Sequence, residues 1–229
     1  MLLDFHSHSG KRTPGEQVIQ NLIIPLIGQD PGFDRDGSPD RWFSAGVHPW
    51  YIDEDKVGEQ LTLLRELAGA SNVKAVGECG LDRLRGPSLD LQQRVFEEQL
   101  DLAGMLRKPV IVHCVRCFAE LVQTKRRLSV AVPLVVHGYN NKLAVARELL
   151  DQGFYFSFGS ALLSEWSNAA KVIAEVPADR FFLETDDRDV SILAVYEQAA
   201  RIKKIPVNQL EEIIFATYLG LGGKKSTND

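Results

Sequence analysis

Two histidines stand two residues apart near the start of the chain. His6 and His8 accompany the apolar residues Leu2, Leu3 and Phe5, which predict a short buried strand. Because side chains alternate between the two faces of a strand, both imidazoles project from the same face. Two ring nitrogens on one face can bind a single metal ion. An ordinary pair of hydrogen-bonded histidines fits the same spacing, so the pair alone leaves both interpretations open.

Four further apolar segments end at a residue that can bind a metal ion. These residues are Glu78, His113, His137 and Asp186. In a parallel barrel the carboxyl ends of the strands face one shared opening, where active sites lie. Four of the chain's five histidines belong to the set that these residues form with His6 and His8. Structural burial explains one such residue, but it does not explain the whole set.

Eight apolar segments predict the strands that would position these residues. They lie near residues 2–8, 21–27, 41–48, 72–79, 109–114, 132–137, 154–159 and 180–186. Their continuous Val, Ile and Phe content is typical of strands buried on both faces. Helical spacing of apolar residues follows most of them, in 53–70, 90–107, 118–128, 143–150, 166–173, 192–199 and 207–219. This alternation predicts an α/β fold, a (β/α)8 TIM barrel formed by one domain over residues 1–221.

The first β-α unit is the irregular part of the predicted barrel. Between the first two predicted strands, only residues 13–20 have room for a helix, and its pattern is poor. Residues 30–32 and 36–39 carry the Pro, Gly and Asp content of turns. We therefore expect an irregular or shortened first unit, and a flexible polar tail over residues 222–229.

The composition is that of an ordinary globular protein of 229 residues, with 45% hydrophobic and 25% charged residues. A net charge of −5 gives no general attraction to nucleic acid. A polyanionic substrate would therefore be held locally, by metal ions or a few basic residues. The absence of a secretory pattern and of a membrane-length apolar run, together with three cysteines, favours a cytoplasmic protein. We predict a monomer with no membrane contact and no obligate protein partner.

The motifs around these residues resemble the TatD family of metal-dependent hydrolases. They occur in the family's order at residues 4–8, 46–49, 76–82, 109–113, 135–138 and 183–186. They span nearly the whole chain, and the Gly-Glu-x-Gly-Leu-Asp and Glu-Thr-Asp pieces are the more specific ones. The resemblance implies an amidohydrolase-type TIM barrel with one or two divalent metal ions. It also implies a deoxyribonuclease of DNA catabolism that hydrolyses phosphodiester bonds, often from the 3′ end.

The resemblance also implies a role for each residue at the strand ends. A first metal ion would be bound by His6 and His8, and a second by His113 and His137. Glu78 would bridge the two ions. Asp186 would bind the first ion and orient or deprotonate the attacking water, so Asp186 and Glu78 are the predicted catalytic residues. Mixed imidazole and carboxylate ligands suit Zn²⁺ or Mn²⁺ better than Mg²⁺.

Three more residues at the predicted opening are candidates for substrate binding. His48 ends a predicted strand, a position consistent with either a substrate contact or a structural role. Arg116 matches a family arginine and is suited to a phosphate, or it is a solvated charge before a helix. Asp82 would orient a metal ligand or cap the turn that follows it.

Two loops depart from the family pattern. The usual Cys-Phe-Ser-Gly after the last histidine is replaced by Gly-Tyr-Asn-Asn at residues 138–141, and the usual Ala-Pro after Asp186 by Asp187 and Arg188. Neither change removes a predicted metal ligand, so both concern the choice of substrate. Asp187 and Asp189 would repel a phosphate unless metal ions dominate the local charge.

Other functions stay open from the residues alone. A different phosphoesterase, of the polymerase-and-histidinol-phosphatase type, or a small-molecule amidohydrolase would use similar ligands. A thiol redox protein is a third alternative, because Cys114 and Cys117 form a Cys-x-x-Cys motif at the start of a predicted helix, where thiol pKa values fall. That alternative leaves the residues at the strand ends unexplained. A barrel that binds metal without catalysis is the fourth.

Overall fold

Eight parallel strands form one sheet in the computed structural model, which describes residues 1–24 and 40–221. Each strand pairs with the next one in the sequence. The strands are β1 Leu2–Ser7, β2 Glu16–Ile23, β3 Trp42–Gly46, β4 Val73–Asp82, β5 Val110–Val115, β6 Leu134–Val136, β7 Tyr155–Phe158 and β8 Phe181–Leu183. This order is that of an α/β barrel, so the predicted fold class is confirmed.

The last strand returns to the first. The backbone N–H of His8 donates to Asp186 O at 3.0 Å, and that of Asp186 donates to His6 O at 2.9 Å. Below these bonds the rings of Phe5 and Phe182 stack with their centroids 4.1 Å apart. The sheet is thus nearly closed, and the N-terminal histidines lie beside the end of β8.

Seven α-helices occur among the described residues. They are α1 Val57–Ala68, α2 Leu89–Leu106, α3 Phe118–Arg127, α4 Leu143–Asp151, α5 Asn168–Glu175, α6 Ile192–Lys203 and α7 Val207–Leu221. All seven coincide with predicted helical stretches, because each buries an apolar stripe against the sheet. Trp166, which the prediction placed in a helix, lies before α5 and is 86% exposed. None of the helices in the described ranges is long and apolar enough to cross a membrane.

The connection between β1 and β2 contains no helix. Residues 8–15 run back along the sheet in irregular structure, which agrees with the expected shortening of the first unit. The helix predicted over residues 13–20 is wrong, because residues 16–20 belong to β2 and pair with β1 and β3. Residues 25–27 of the predicted second strand, the turns at 30–32 and 36–39, and the tail 222–229 lie outside the described residues.

Buried polar side chains explain the error at β2. Gln17, Gln20 and Asn21 are 8%, 8% and 5% exposed, so this buried strand lacks the apolar run that usually marks one. Gln17 Nε2 donates to Asp40 O at 3.1 Å, and Asn21 Oδ1 accepts from Ser44 Oγ at 3.2 Å. The polar groups of Gln17 and Asn21 are thus used in hydrogen bonds to neighbouring residues.

The strands rest on an aromatic core. Fully buried phenylalanines of three strands are Phe5, Phe156, Phe158, Phe181 and Phe182. Burial of each stabilises the fold by about 1.5–3 kcal/mol. The carboxyl ends of the strands are therefore carried by a tightly packed wall. A single domain over residues 1–221 stays a prediction.

Candidate metal centre

Glu78, near the carboxyl end of β4, lies at the centre of the cluster. Its side chain is 3% exposed. Oε1 lies 2.8 Å from His113 Nδ1, 2.8 Å from His137 Nε2 and 3.1 Å from His48 Nε2. One carboxylate oxygen thus faces imidazoles from three other strands or strand ends.

The second oxygen of Glu78 faces the N-terminal histidines. Oε2 lies 3.4 Å from His6 Nε2 and 3.5 Å from His8 Nε2. The same two nitrogens lie 3.6 Å and 3.4 Å from Asp186 Oδ1. Donor atoms of His6, His8 and Asp186 all lie within 4.8 Å of one another, which is compatible with a single ion. The six residues predicted as metal ligands therefore converge on one place.

His6 fits a metal ligand better than a structural histidine. Its side chain is fully buried, and neither ring nitrogen has a hydrogen-bond partner among the described residues. Leaving a buried polar atom unsatisfied costs about 1–3 kcal/mol. Nε2 points toward carboxylate oxygens of Glu78 and Asp186, so a cation between them would satisfy all three groups. Imidazole and carboxylate are the ligand types of Zn²⁺ and Mn²⁺ sites, and the donor set fits such an ion.

Neighbouring strands hold the backbone of Glu78. Its N–H donates to Asn21 Oδ1 of β2 at 2.9 Å. Gly46, at the end of β3, packs directly on β4: a Cβ atom there would lie 2.6 Å from Glu78 O and 2.7 Å from Gly77 C. Only a residue without a side chain allows this approach. Asn21 and Gly46 are positioning residues that the sequence analysis did not identify.

Asp82 makes the contacts that each of the two roles considered for it requires. Its Oδ2 lies 3.0 Å from His113 Nε2, which orients the imidazole against Glu78. Its Oδ1 accepts from the backbone N–H of Leu84 at 2.8 Å and of Arg85 at 3.2 Å, which caps the turn after β4. Burial alone would raise the pKa of Asp82, but the bonds from His113 and Trp50 lower it.

Glu184 supports His137 from behind. It is fully buried, its Oε1 accepts from the N–H of Gly138 at 2.7 Å, and the same oxygen lies 3.5 Å from His137 Nδ1. A carboxylate behind a metal-binding imidazole fixes the ring and raises its basicity. Glu184 is not among the site residues predicted from the sequence. Glu184 stands two residues before Asp186, so in an extended segment both side chains project from the same face, and this spacing could have predicted its place at the site.

Asp4 fastens the end of β8 to β1. Its Oδ1 accepts from the N–H of Thr185 at 3.0 Å, and its Oδ2 accepts from Thr185 Oγ1 at 2.7 Å. Burial raises the pKa of Asp4 to about 7, although the bonds from Thr185 act in the opposite direction. The contact holds Asp186 next to His6.

His48 lies against Glu78 and away from the surface. It is 3% exposed, and its Nδ1 accepts from the N–H of Trp50 at 3.1 Å. Because Nδ1 accepts, the proton of the neutral ring is on Nε2, which therefore donates to Glu78 Oε1. Burial lowers the pKa of His48, which favours this neutral form. The geometry favours the structural role of His48 over a substrate contact.

The remaining predicted substrate residue is at the surface. Arg116 follows β5 with a φ of 56° and is exposed. Its carbonyl accepts from Arg83 Nε at 3.1 Å. Arg116 thus stands at the opening without touching the cluster. In the altered loop after β8, Asp187 and Arg188 are exposed and pair with each other at 3.1 Å.

The charges of the cluster favour cation binding. Burial alone would raise the pKa values of Glu78 and Asp186, but the surrounding imidazoles hold both below their usual range. The two carboxylates in turn raise the pKa of His6 and bring that of His8 to about 9, against the opposing effect of burial. Ionised carboxylates are the form that binds divalent cations.

The expectation of a low thiol pKa is wrong. Burial raises the pKa of Cys114 and of Cys117, and it also raises that of Cys79. Reactive redox thiols need the opposite shift. The cysteines therefore fit packing residues better than redox thiols.

Comparison with known proteins decides the family. The family model described as TatD related DNase matches residues 35–220. The uncharacterized metal-dependent hydrolase YabD of Bacillus subtilis is 35% identical over 207 residues, which are 81% of this chain and 80% of that protein. The chain belongs to the TatD-related DNase family. It is accordingly a metal-dependent hydrolase, as the resemblance implied.

Two further relatives agree with the TatD assignment. The 3′-5′ ssDNA/RNA exonuclease TatD of Cronobacter sakazakii is 35% identical over 149 residues, which are 63% of this chain and 56% of that protein. A crystal structure of YjjV, a TatD homologue from Escherichia coli, superposes with a TM-score of 0.80 at 23% identity, covering 96% of this chain and 97% of that chain. The second likeness shows the shared barrel.

His6 and His8 lie before the residues that the family model matches. Their place beside Asp186 follows from the closure of β1 against β8, which the hydrogen bonds between Asp186, His6 and His8 describe. The structure thus places His6 and His8, which precede the matched residues, next to Asp186, which lies among them.

Proposed function

We propose that the chain is a divalent-metal-dependent nuclease that removes nucleotides from the 3′ end of single-stranded nucleic acid, with DNA as the preferred substrate. The observation that carries this proposal is the position of Glu78, whose two oxygens face two separate groups of imidazoles. A bridging carboxylate between two ions is the arrangement that phosphoester hydrolysis uses. The name of the Cronobacter relative, an exonuclease on single-stranded DNA and RNA, supports the substrate class.

We assign the ligands of two ions to opposite sides of Glu78. The first group is His6, His8 and Asp186, and the second is His113 and His137. When bound, two divalent cations lower the pKa of a water molecule, polarise the phosphate and stabilise the charge that develops on the attacking and leaving oxygens. Zn²⁺ and Mn²⁺ suit this nitrogen-rich set, and Mg²⁺ suits it less well.

Exposure separates the roles of the two carboxylates. The side chain of Glu78 is 3% exposed, whereas that of Asp186 is 31% exposed. His8, beside Asp186, is 30% exposed, so this side of the cluster opens toward solvent. Asp186 is therefore the carboxylate that can reach the attacking water, orient it and accept its proton. Glu78 holds the ligands together from inside.

Asp82, Glu184 and His48 keep the ligands in place. Asp82 orients His113, Glu184 backs His137, and His48 donates to Glu78. Such partners typically change metal affinity or activity by about 10- to 100-fold when removed. Arg116 is the surface residue that we assign to the substrate phosphate.

The cysteines bear on where the protein works. All three are free thiols, two of them buried and one half-buried. Unpaired buried thiols are typical of a reducing compartment. We infer a cytoplasmic monomer that takes part in DNA catabolism.

The test is cleavage of end-labelled single strands after chelation, with Mn²⁺, Zn²⁺ or Mg²⁺ added back separately. We expect metal-restored shortening from the 3′ end of DNA and, more slowly, of RNA. Shortening from the 5′ end would overturn the polarity. Absence of cleavage by protein that has bound metal would overturn the nuclease proposal and favour a small phosphoester or an amide as substrate.

A further inference from the structure

Arg85 lies over the ring of Trp50 at the opening of the barrel. Its Cζ is 3.7 Å from the centroid of the indole. A guanidinium at this distance is attracted by the electrons of the aromatic face. Arg85 is exposed and Trp50 is half-buried. One face of the guanidinium therefore covers the indole, and the opposite face is open to solvent.

This stack is linked directly to the metal centre. Trp50 Nε1 donates to Asp82 Oδ2 at 2.6 Å, and the same oxygen lies 3.0 Å from His113 Nε2. The rings of Trp50 and His113 also meet edge to face, with centroids 5.4 Å apart and an interplanar angle of 78°. The indole of Trp50 thus lies between Arg85 and His113, one of the proposed metal ligands.

The loop that carries Arg85 is held from three directions. Gln92, 1% exposed, donates through Nε2 to Arg85 O at 3.0 Å. The N–H of Arg85 donates to Asp82 Oδ1 at 3.2 Å. Gly86 has a φ of +89° and packs so closely on Pro49 that a Cβ atom would lie 2.4 Å from its carbonyl oxygen. The stack of Arg85 on Trp50 is therefore held in place without a ligand, which reduces the entropic cost of binding one.

Arg85 differs from two other arginines near the opening, Arg83 and Arg188, in its charge balance. Arg83 forms an ion pair with Glu120, and Arg188 pairs with Asp187. Among residues 1–24 and 40–221, no carboxylate forms an ion pair with Arg85. Its positive charge is free to attract a polyanion in a protein whose net charge is −5.

We propose that Trp50 and Arg85 form a stacking platform for an unpaired nucleobase next to the scissile bond. The proposal rests on the proposed nuclease function and adds a binding site to it. Unpaired bases stack on aromatic rings and on arginine planes, and every base has such a face. The site would therefore accept any sequence, and DNA and RNA alike. A paired base in a duplex would be excluded, because its faces are already stacked.

The experiment removes a nucleobase from the substrate and, separately, the guanidinium of Arg85 from the enzyme. Single strands of DNA and of RNA carry an abasic analogue at each of the last three 3′ positions in turn, and kcat/KM is measured with Mn²⁺. The enzymes are wild type, Arg85→Ala, Arg85→Lys and Arg147→Ala. Arg85→Lys keeps the positive charge but lacks the planar guanidinium. Arg147 is a surface control that pairs with Glu175 on the outer helices.

The wild type should lose about 5-fold or more in kcat/KM at one abasic position, the low end of what stacking contributes per base. Arg85→Ala and Arg85→Lys should lose as much on the intact strand and then be indifferent to the missing base. Arg147→Ala should behave as wild type. Circular dichroism verifies the fold of each variant, and the substrate comparison in the wild type needs no variant.

Three results would contradict the proposal. Indifference of the wild type to the abasic position shows that no base is stacked near the cut. Wild-type behaviour of Arg85→Lys shows a phosphate contact. A fold loss at the abasic position that differs between the DNA and the RNA series shows that the sugar is read. Failure of the wild type to cut any strand would overturn the nuclease function and this site with it, whereas the three results above leave the nuclease function intact.

Discussion

At the scale of single residues, Glu78 determines whether the cluster can act as a metal centre. Its two oxygens lie 2.8–3.5 Å from five imidazole nitrogens, so every predicted histidine ligand touches the same carboxylate. Removing its charge leaves the imidazoles without their common partner. The loss of a buried charge partner is costly wherever the remaining groups stay desolvated.

Glu78→Gln should therefore lower metal-dependent hydrolysis by at least about 100-fold while the barrel stays folded. The amide retains the size of the carboxylate but binds divalent cations weakly. The measurement is kcat/KM on a labelled single strand, with circular dichroism as the folding check. Glu175→Gln, the same change at an exposed residue, is the control. Full activity in Glu78→Gln would contradict the site assignment.

Replacing both Cys114 and Cys117 by Ser should leave hydrolysis within about twofold of wild type. Their raised thiol pKa values make them poor nucleophiles, and neither is among the proposed metal ligands. The rate is measured under reducing conditions. A collapse of activity in the folded double variant would revive the thiol mechanism.

The sequence predicts the proposed ligands because they stand at the ends of apolar segments, where a barrel brings residues together. Asp4, on the same strand face as His6, is expected to support the site, but its partner Thr185 is not predicted, and neither are the contacts of Glu184, Trp50 and Arg85. Asp4 and Thr185 are 181 residues apart, and Trp50 and Asp82 are 32 residues apart. Such pairs form where β8 closes on β1 or where two loops meet. The spacing of residues within one segment cannot predict them.

At the scale of elements, β2 shows where pattern reading fails. Its buried Gln17, Gln20 and Asn21 interrupt the apolar run of a buried strand, so the sequence leaves residues 13–20 as room for a helix. Asn21 is polar because it holds the N–H of Glu78. The error therefore falls on an element whose sequence serves the site.

The contact between β3 and β4 gives a test at this scale. Gly46→Ala would place a Cβ atom against the backbone of Gly77 and Glu78, so the strands must separate. We expect a loss of about 1–3 kcal/mol in the free energy of unfolding, together with lower activity, because Glu78 moves. The free energy is measured by urea denaturation.

Gly104→Ala is the matched control for Gly46→Ala. Gly104 lies in α2, and a Cβ atom there meets nothing within 4 Å. Its replacement should stabilise the helix by about 0.5–1 kcal/mol. Equal effects of the two changes would contradict the close packing of β3 on β4.

At the scale of the whole molecule, the barrel separates stability from chemistry. The cluster lies at the carboxyl ends of the strands, while Lys108 lies before β5 at the opposite end. Lys108 Nζ donates to the carbonyls of Ala68 and Ala70, at the end of α1. Burial, with a smaller effect of Lys74, lowers the pKa of Lys108 from 10.5 to about 8.

The Lys108 shift predicts a pH dependence of stability. Between pH 8 and 10.5 the unfolded chain keeps a proton that the folded chain releases, so the contribution of Lys108 to the free energy of unfolding rises with pH. The difference between wild type and Lys108→Met should therefore shift in favour of wild type from pH 7.5 to 10. Urea denaturation at both pH values measures it. A constant difference would contradict the lowered pKa.

The count of bound metal ions tests the central claim most directly. Chelated protein is dialysed against Mn²⁺ or Zn²⁺, and the metal per chain is determined for wild type, His8→Ala and His137→Ala. Two groups of ligands around Glu78 predict two ions in wild type and one in each variant. One ion in wild type, or two retained in either variant, would contradict the two-ion centre.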